Sequence, residues 1–132
     1  MTPARMKIAQ LTYLVRDYDE AIRWFTEKLG FILKEDSKLS DTKRWVVVAP
    51  PGENGAALLL AKAEGDKQKA AVGDQCGGRV FLFMQTDDFD RDYKAMSSRG
   101  VRFLETPRTE SYGKVAVFED LYRIKWDLIE SR

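Results

Sequence analysis

The chain contains no histidine in 132 residues, and this absence constrains its chemistry more than any other feature of its composition. Histidine is the commonest general acid or base at neutral pH and the usual zinc ligand. Its absence excludes Ser-His and Cys-His nucleophile pairs. Any chemistry must therefore use carboxylates, Lys, Tyr, Arg or a bound cofactor.

Cysteine and unbalanced charge are also scarce. Cys76 is the single cysteine, so an internal disulfide is excluded, as suits a reducing cytoplasm. The 22 basic and 21 acidic residues nearly cancel and are interspersed, which makes nucleic acid and anionic membranes poor candidates for partners. No apolar run has the length of a signal peptide or a membrane span. We therefore expect a cytoplasmic protein with no nucleic-acid or membrane partner.

An internal repeat organises what is present. Residues 10–30 recur without a gap as residues 80–100. Each copy has a run of strand-like alternation, then an aspartate that predicts a helix N-cap, then a glycine where a helix end requires a left-handed residue. The aspartates are Asp17 and Asp87, and the glycines are Gly30 and Gly100.

The repeat extends to whole modules. The first half predicts strands at 6–16, 31–36, 43–49 and 56–61 and a helix at 17–29. The second half predicts strands at 79–86, 101–104, 114–118 and 125–129, a helix at 88–99, and a loop between Pro107 and Gly113. We predict one α+β domain, 1–132, of two β-α-β-β-β modules, 6–62 and 78–131. Linker 63–77, with one helical turn, joins them, and the modules form a pseudo-twofold cup of curled mixed sheets.

Three segments resemble the vicinal oxygen chelate superfamily, which includes glyoxalase I, bleomycin-resistance proteins and extradiol dioxygenases. They are the opening DYDEAIRWFTEKLGF from Asp17, the Tyr112-Gly113 loop, and the closing VFEDLYRIKWDLIE. The resemblance implies the cup fold and a homodimer. It leaves the chemistry open, because members share the scaffold and differ in activity.

The resemblance also implies positions for a metal site. The family's four ligand positions fall on Gln10, Ala57, Val80 and Asp127. Alanine and valine have no ligating atoms, and an amide with one carboxylate leaves too little charge to hold a divalent ion. We therefore expect neither a metal nor another cofactor.

The candidate site consists of residues that we expect to line the cup. Asp127 is the candidate catalytic residue, as a general base or cation anchor whose pKa is raised by desolvation, with a structural acid as the alternative. Each remaining candidate has a structural alternative as a core, strand or rim residue. The candidate ligand-binding residues are Gln10, Thr12, Trp45, Val80, Leu82, Met84 and Tyr112.

Three functions remain open at this point. The first is metal-free binding of a small organic ligand in the cup, in the manner of the bleomycin-resistance proteins. The second is a metal-dependent lyase or dioxygenase-like enzyme that uses Asp127 and Gln10. The third is an interaction module whose cup is filled by side chains. An open pocket of several hundred cubic ångströms would favour binding.

Overall fold

The computed structural model describes residues 2–52 and 54–131. The strands of the first half are β1 (Gln10–Val15), β2 (Ile32–Lys38), β3 (Arg44–Ala49) and β4 (Ala57–Lys62). Those of the second half are β5 (Val80–Gln85), β6 (Arg102–Phe103), β7 (Arg108–Glu110), β8 (Gly113–Glu119) and β9 (Lys125–Ser131). The helices are α1 (Tyr18–Lys28), α2 (Gly65–Ala71) and α3 (Phe89–Ser98). None of the helices described is long and apolar enough to cross a membrane.

The strands form two mixed sheets, which confirms the predicted α+β fold class. The first sheet has the order β1-β4-β3-β2, and the second has the order β5-β9-β8-β6, with β7 also paired to β8. In each sheet the first and last strands of the module are parallel neighbours, and the remaining pairs are antiparallel. Neither sheet closes into a barrel.

The first helix begins and ends as the repeat predicts. Asp17 accepts a hydrogen bond from the backbone N–H of Glu20 at 2.8 Å. Beyond the other end, Gly30 has a φ of +71°, a left-handed conformation that glycine adopts without strain. Gly100 ends the α3 segment in the same way, with a φ of +90°.

The predicted N-cap of the second helix is wrong by one residue. Asp88, not Asp87, accepts the backbone N–H of Arg91, at 3.1 Å. The strand pairing continues through the N–H of Thr86, whose hydroxyl accepts from the N–H of Asp88. The turn therefore uses one more residue than in the first copy, and Asp87 instead forms an ion pair with the side chain of Arg91.

Two further expectations need correction. The predicted loop between Pro107 and Gly113 contains the strand β7, paired to β8. The linker contains a helix of seven residues, α2, and not a single turn.

The helix-covered faces of the two sheets share one core, and we call them the inner faces. Phe25 of α1 lies 5.4 Å from the Tyr13 ring of the first sheet and 6.1 Å from the Trp126 ring of the second, measured between ring centroids. Because α1 touches both inner faces, the opposite faces of the sheets point away from each other. We call these the outer faces.

Asp120 fastens the two modules together inside this core. Its carboxylate accepts hydrogen bonds from the Tyr13 hydroxyl and from Trp126 Nε1, the latter at 2.9 Å. The backbone N–H groups of Tyr122 and Ile124 donate to its other oxygen. Burial raises the pKa of Asp120 even though these donors oppose the shift. One buried acid thus joins β1 to β9.

The outer edge of β1 is closed by side chains. The carbonyl groups of Ala9 and Val15 accept hydrogen bonds from the backbone N–H groups of Ala57 and Ala63 on the β4 side. Because the backbone groups of successive residues point to opposite sides of a strand, those of the even-numbered residues of β1 point away from β4. The Gln75 amide bonds two of them, accepting from the N–H of Leu14 at 2.8 Å and donating to the carbonyl of Thr12 at 3.0 Å. The linker therefore covers an edge that would otherwise be open.

Candidate functional site

Strand register divides the eight candidate residues into separate groups. Gln10 and Thr12 lie beside Ala57 and Leu59 on the outer face of the first sheet, and Trp45 shares that face. Within one chain this face and the outer face of the second sheet lie on opposite sides of the core. The outer face of the second sheet carries Val80 and Asp127, and Tyr112 lies at the β7–β8 turn beside it.

Leu82 and Met84 lie on the inner face, away from Asp127. A bulge between Val80 and Leu82 shifts the register, so that Leu82 lies beside Trp126 and Met84 beside Leu128. Both of those partners are core residues. The same shift brings Phe83 beside Asp127, with 67% of its side chain exposed.

Asp127 lies at the centre of the second outer face, between Phe83 on β5 and Val117 on β8. Its Oδ1 atom is buried and has no hydrogen-bond partner among the described residues. Desolvation raises the pKa of Asp127; the positive charge of Arg108 opposes this rise, and the negative charge of Glu105 adds to it. The carboxyl group is therefore biased toward its protonated form beside an exposed aromatic ring.

Arg108 reaches this face because the edge of the sheet is interrupted. After β6, the N–H of Leu104 still donates to the carbonyl of Val117, but the next residues leave the ladder. The carboxylate of Glu105 replaces the missing backbone acceptor and takes the N–H of Val117 at 3.0 Å. Nε of Arg108 donates to both oxygens of that carboxylate, at 3.0 and 3.1 Å.

A second carboxylate and a hydroxyl complete the surroundings of Arg108. Nη1 of Arg108 donates to Glu110 at 2.9 Å. Glu105 first, then Glu110 and the Tyr112 hydroxyl, raise the pKa of Arg108, so its charge is permanent. Two carboxylates therefore bind this guanidinium directly, and the Asp127 carboxylate interacts with it through charge alone. Tyr112 stands at its rim with 52% of its side chain exposed.

A separate apolar groove lies where the inner faces diverge. Its volume is about 700 Å³, between the β3–β4 loop and the free side of β5. Leu82, Met84 and Trp126 line it from the second sheet, and Leu11 and Leu58 from the first. Phe83 borders the groove and also faces Asp127, so the groove adjoins the second outer face.

Comparison with known proteins places the chain in a family. The family model described as the Glyoxalase/Bleomycin resistance protein/Dioxygenase superfamily matches residues 7–128. The chain belongs to this superfamily. The resemblance inferred from the three sequence segments is therefore confirmed.

Superfamily relatives cover almost the whole chain. An uncharacterised protein of Shewanella frigidimarina is 50% identical over 96% of this chain and 94% of its own length. The uncharacterised protein YurT of Bacillus subtilis is 31% identical over 87% of this chain and 91% of its own.

Solved structures share the architecture as well. UcmS2 is 26% identical, with a TM-score of 0.81 over 96% of this chain and 98% of that chain. TnmS3, an antibiotic binding protein from Streptomyces sp. CB03234, is 25% identical, with a TM-score of 0.80 over 99% of this chain and 100% of that one.

The four positions that the resemblance implies for a metal site do not come together within one chain. Ala57 and Val80 offer no donor atom, and Gln10 and Asp127 lie on outer faces that point apart. Throughout residues 2–52 and 54–131, no three Cys, Asp or Glu side chains are grouped closely enough to hold a metal ion.

Sequence reasoning missed three residues of this candidate site: Phe83, Glu105 and Arg108. The ungapped repeat predicts that Val80 lies opposite Asp127. In the structure a bulge places Phe83 there instead, and nothing in the uncharged, apolar sequence of β5 indicates this bulge. Glu105 lies just before the segment that was predicted to be a loop, and Arg108 lies within it. The Glu-x-x-Arg spacing after a short strand was the only available signal for their ion pair.

Proposed function

We propose that this superfamily member binds a small organic molecule, without a metal, on the outer face around Asp127. The observation that carries the proposal is the position of the Asp127 carboxyl group. One of its oxygens is buried without a partner, and an exposed phenylalanine ring, Phe83, lies beside it. An unpaired carboxyl group next to an open aromatic surface suits a ligand that has both a ring and a polar group.

The surroundings of Asp127 support recognition of a polar group. In its protonated form the carboxyl donates a hydrogen bond, and in its ionised form it accepts one. Glu105 and Glu110 hold the Arg108 guanidinium in place, so it is a fixed donor at the edge of the face. Tyr112 adds a second exposed ring. The structurally similar protein TnmS3 is an antibiotic binding protein, and this similarity supports the proposal that the present chain binds a ligand with a ring and a polar group.

We further propose that a second copy of the chain completes the pocket. Each chain has two open outer faces, one with Gln10, Thr12 and Trp45, and one with Asp127. A twofold dimer that joins the first face of one copy to the second face of its partner forms two equal pockets and leaves neither face open. This arrangement would bring Gln10 of one copy close to Asp127 of the other.

The single cysteine, Cys76, is compatible with a cytoplasmic location.

The two other functions are less well supported. An interaction module with a filled cup would bury Phe83 and Tyr112, which are exposed. A lyase or dioxygenase-like enzyme would require a metal or base centred on Asp127 and Gln10. The enzyme would be distinguished from the binding protein by a metal ion that stabilises the chain only when Asp127 is present.

A thermal-shift experiment tests the proposal. Chelator-treated protein is mixed with bleomycin A2, doxorubicin or tetracycline, and in parallel with Ni, Zn, Mn, Fe(II), Co or Mg. A site-specific ligand at about a hundredfold over its Kd stabilises by roughly 2.7 kcal/mol, a shift of several degrees. We expect such a shift with at least one organic compound and its loss in Asp127→Ala. A shift with one metal that disappears in Asp127→Ala would instead favour the enzyme.

A further inference from the structure

The modules meet in two similar clefts, each between a helix of one module and a loop of the other. In the first cleft, between α1 and the loop after β8, the ring of Tyr122 is buried. Its hydroxyl donates to Glu20 of α1 at 2.9 Å and accepts from the backbone N–H of Arg16 at 3.1 Å. Trp24, one helical turn after Glu20, is half-buried against the core. A phenol and an indole thus occupy this side of the core.

The internal repeat identifies the loop position in the second cleft that is equivalent to Tyr122. β2 pairs with β3 in the same register as β6 pairs with β8, so that Ala49 and Glu119 are equivalent last residues of their strands. Gly52 and Tyr122 each lie three residues after that end. The loop after β3 therefore has no side chain where the loop after β8 has a tyrosine.

The two helices correspond when their positions are counted from the N-cap aspartates. Glu20 and Arg91 are both the third residue after the cap, and each donates its backbone N–H to the cap side chain. Trp24 and Ala95 are both the seventh residue after the cap. The second cleft therefore has an arginine in place of the acid that binds the tyrosine hydroxyl, and an alanine in place of the tryptophan.

The second cleft is open. Its volume is about 580 Å³, and Gly52 and Ala95 both line it. Its apolar wall includes Leu29, Phe31 and Met96. A side-chain carbon built on Gly52 would meet no described atom within 4 Å. A partly apolar cleft of this size is typical of small-molecule sites.

Charged residues of α3 and of the turn before it form the polar wall of the second cleft. Asp87 and Asp92 accept hydrogen bonds from Nη2 and Nε of Arg91, at 2.7 and 3.0 Å. Burial alone would raise the pKa of Asp92, but hydrogen bonds from Arg91 and Thr86 hold it below its usual range. Arg99 adds to this lowering through its charge. Within the described chain, Nη1 of Arg91 and the Arg99 guanidinium have no acceptor.

We infer that the second cleft is a further ligand site and that its ligand is a small aromatic carboxylate. The ring takes the space that Tyr122 fills in the first cleft. The exchange of Glu20 for Arg91 sets the polarity of the other end, because a carboxylate accepts from a hydroxyl whereas a guanidinium only donates. A ligand carboxylate meets this requirement and accepts from Arg91 and Arg99 in charge-assisted hydrogen bonds.

The second cleft is separate from the site proposed around Asp127. Leu128 lines the cleft from the inner face, and Asp127, the preceding residue of β9, lies on the outer face. The cleft shares Phe31 and Met84 with the apolar groove, but Ala95 and the two arginines belong to the cleft alone. All of its lining residues come from one chain, so the inference depends neither on the dimer nor on the ligand of the outer face.

Heteronuclear NMR titration of the unmodified chain tests the chemistry. The probes are phenylacetate and hydrocinnamate, and the neutral controls are the amides of the same two acids. At the usual affinity per atom, a ligand of about ten non-hydrogen atoms reaches a Kd of roughly one millimolar. We expect saturable shifts of α3 amide signals with at least one acid, and binding of its amide at least about tenfold weaker. No saturable shift with either acid at about ten millimolar, or equal affinity of acid and amide, would overturn the inference.

Filling the cleft tests its location. Ala95→Trp gives α3 the residue that α1 has at the equivalent position, and it should weaken binding of the acid at least about tenfold because the ring space is lost. The matched control is Lys94→Trp, at the exposed neighbouring residue that does not line the cleft, which should change the Kd less than about twofold. Equal effects of the two substitutions would contradict the location. Circular dichroism verifies folding.

Removing one charge at a time tests the polar wall independently. Arg91→Gln and Arg99→Gln should each weaken binding of the acid about tenfold, as loss of one charged hydrogen bond does, and should leave the affinity of the amide unchanged. Arg23→Gln, at an exposed cation of α1, is the control for lost charge and should have no effect. Unchanged acid binding in both Arg91→Gln and Arg99→Gln would overturn the inference.

Asp127→Ala distinguishes the two sites. It should leave the Kd of the acid unchanged, because Asp127 lies on the other face of β9. Acid binding that is lost in Asp127→Ala but kept in Ala95→Trp would assign the acid to the outer face and overturn the inference. The thermal-shift series reports on the outer-face site in either case.

Discussion

Replacement of Asp120 by alanine should destabilise the protein by about 4 kcal/mol. Asp120 is the one buried charged residue in the described part of the chain, and its carboxylate serves donors from both modules. Without it, the backbone N–H groups of Tyr122 and Ile124 and the indole N–H of Trp126 lose their acceptor inside the core. Each such loss costs about 1–3 kcal/mol, and water that enters the vacated space recovers part of the total.

Asp120→Asn separates the two oxygens of the carboxylate. The remaining amide oxygen can still accept from the two backbone N–H groups, but the new NH₂ group faces the Trp126 indole and the Tyr13 hydroxyl. The hydroxyl can rotate and accept, whereas an indole N–H can only donate. One buried donor is therefore left unpaired, and we expect a loss of about 2 kcal/mol.

Urea unfolding followed by circular dichroism and tryptophan fluorescence measures both variants. The native state has about 5–15 kcal/mol of stability, so losses of this size remain measurable. Asp41→Ala, at an exposed acid between β2 and β3, is the control and should stay within about 0.5 kcal/mol of the unmodified chain. If Asp120→Ala and Asp120→Asn also stay within that range, Asp120 does not hold the modules together.

Three further predictions concern single residues. Burial raises the pKa of Asp127. At pH values just above the ordinary pKa of an aspartate, the native state therefore still holds a proton that the unfolded chain has lost. The free energy of unfolding consequently falls as the pH rises through that window. Asp127→Asn should flatten this slope in urea midpoints between about pH 4 and 7; an unchanged slope would assign it to another group. Gln75→Ala should cost about 1 kcal/mol and speed hydrogen exchange at the Leu14 amide, and an equally protected amide would contradict the edge-closing role. Arg123 has a φ of +67°, so Arg123→Gly should raise stability by about 0.5–1 kcal/mol, and a lower melting temperature would refute this.

The order of elements follows from local patterns, which is why the sequence predicts most of it. Strand alternation depends on neighbours along the chain, as do the capping of α1 by Asp17 and the glycines that follow the helices. The errors arise where a distant partner decides. Strand β7 exists because β8 offers it an edge, and the α3 cap moves to Asp88 because Thr86 stays paired with β9.

The candidate site was harder to predict, because it depends on which face of each strand meets a helix. In β1, polar Gln10 and Thr12 alternate with the apolar residues Leu11, which is half-buried, and Tyr13, which is buried, so their outward position follows from the pattern. In β5, both faces are apolar, and only the bulge decides that Phe83 and not Leu82 adjoins Asp127. The relative orientation of the two modules is set by core contacts such as that between Phe25 and Trp126, which no local pattern encodes.

Calorimetric titration of chelator-treated protein with bleomycin A2, doxorubicin and tetracycline tests the central claim most directly. The account predicts that at least one compound binds with one molecule per chain. Asp127→Ala and Phe83→Ala should each weaken it about tenfold, as loss of one buried polar or aromatic contact does, and Asp41→Asn should leave it unchanged. Binding that requires an added metal, equal affinity in all variants, or no binding to any of the compounds would contradict it.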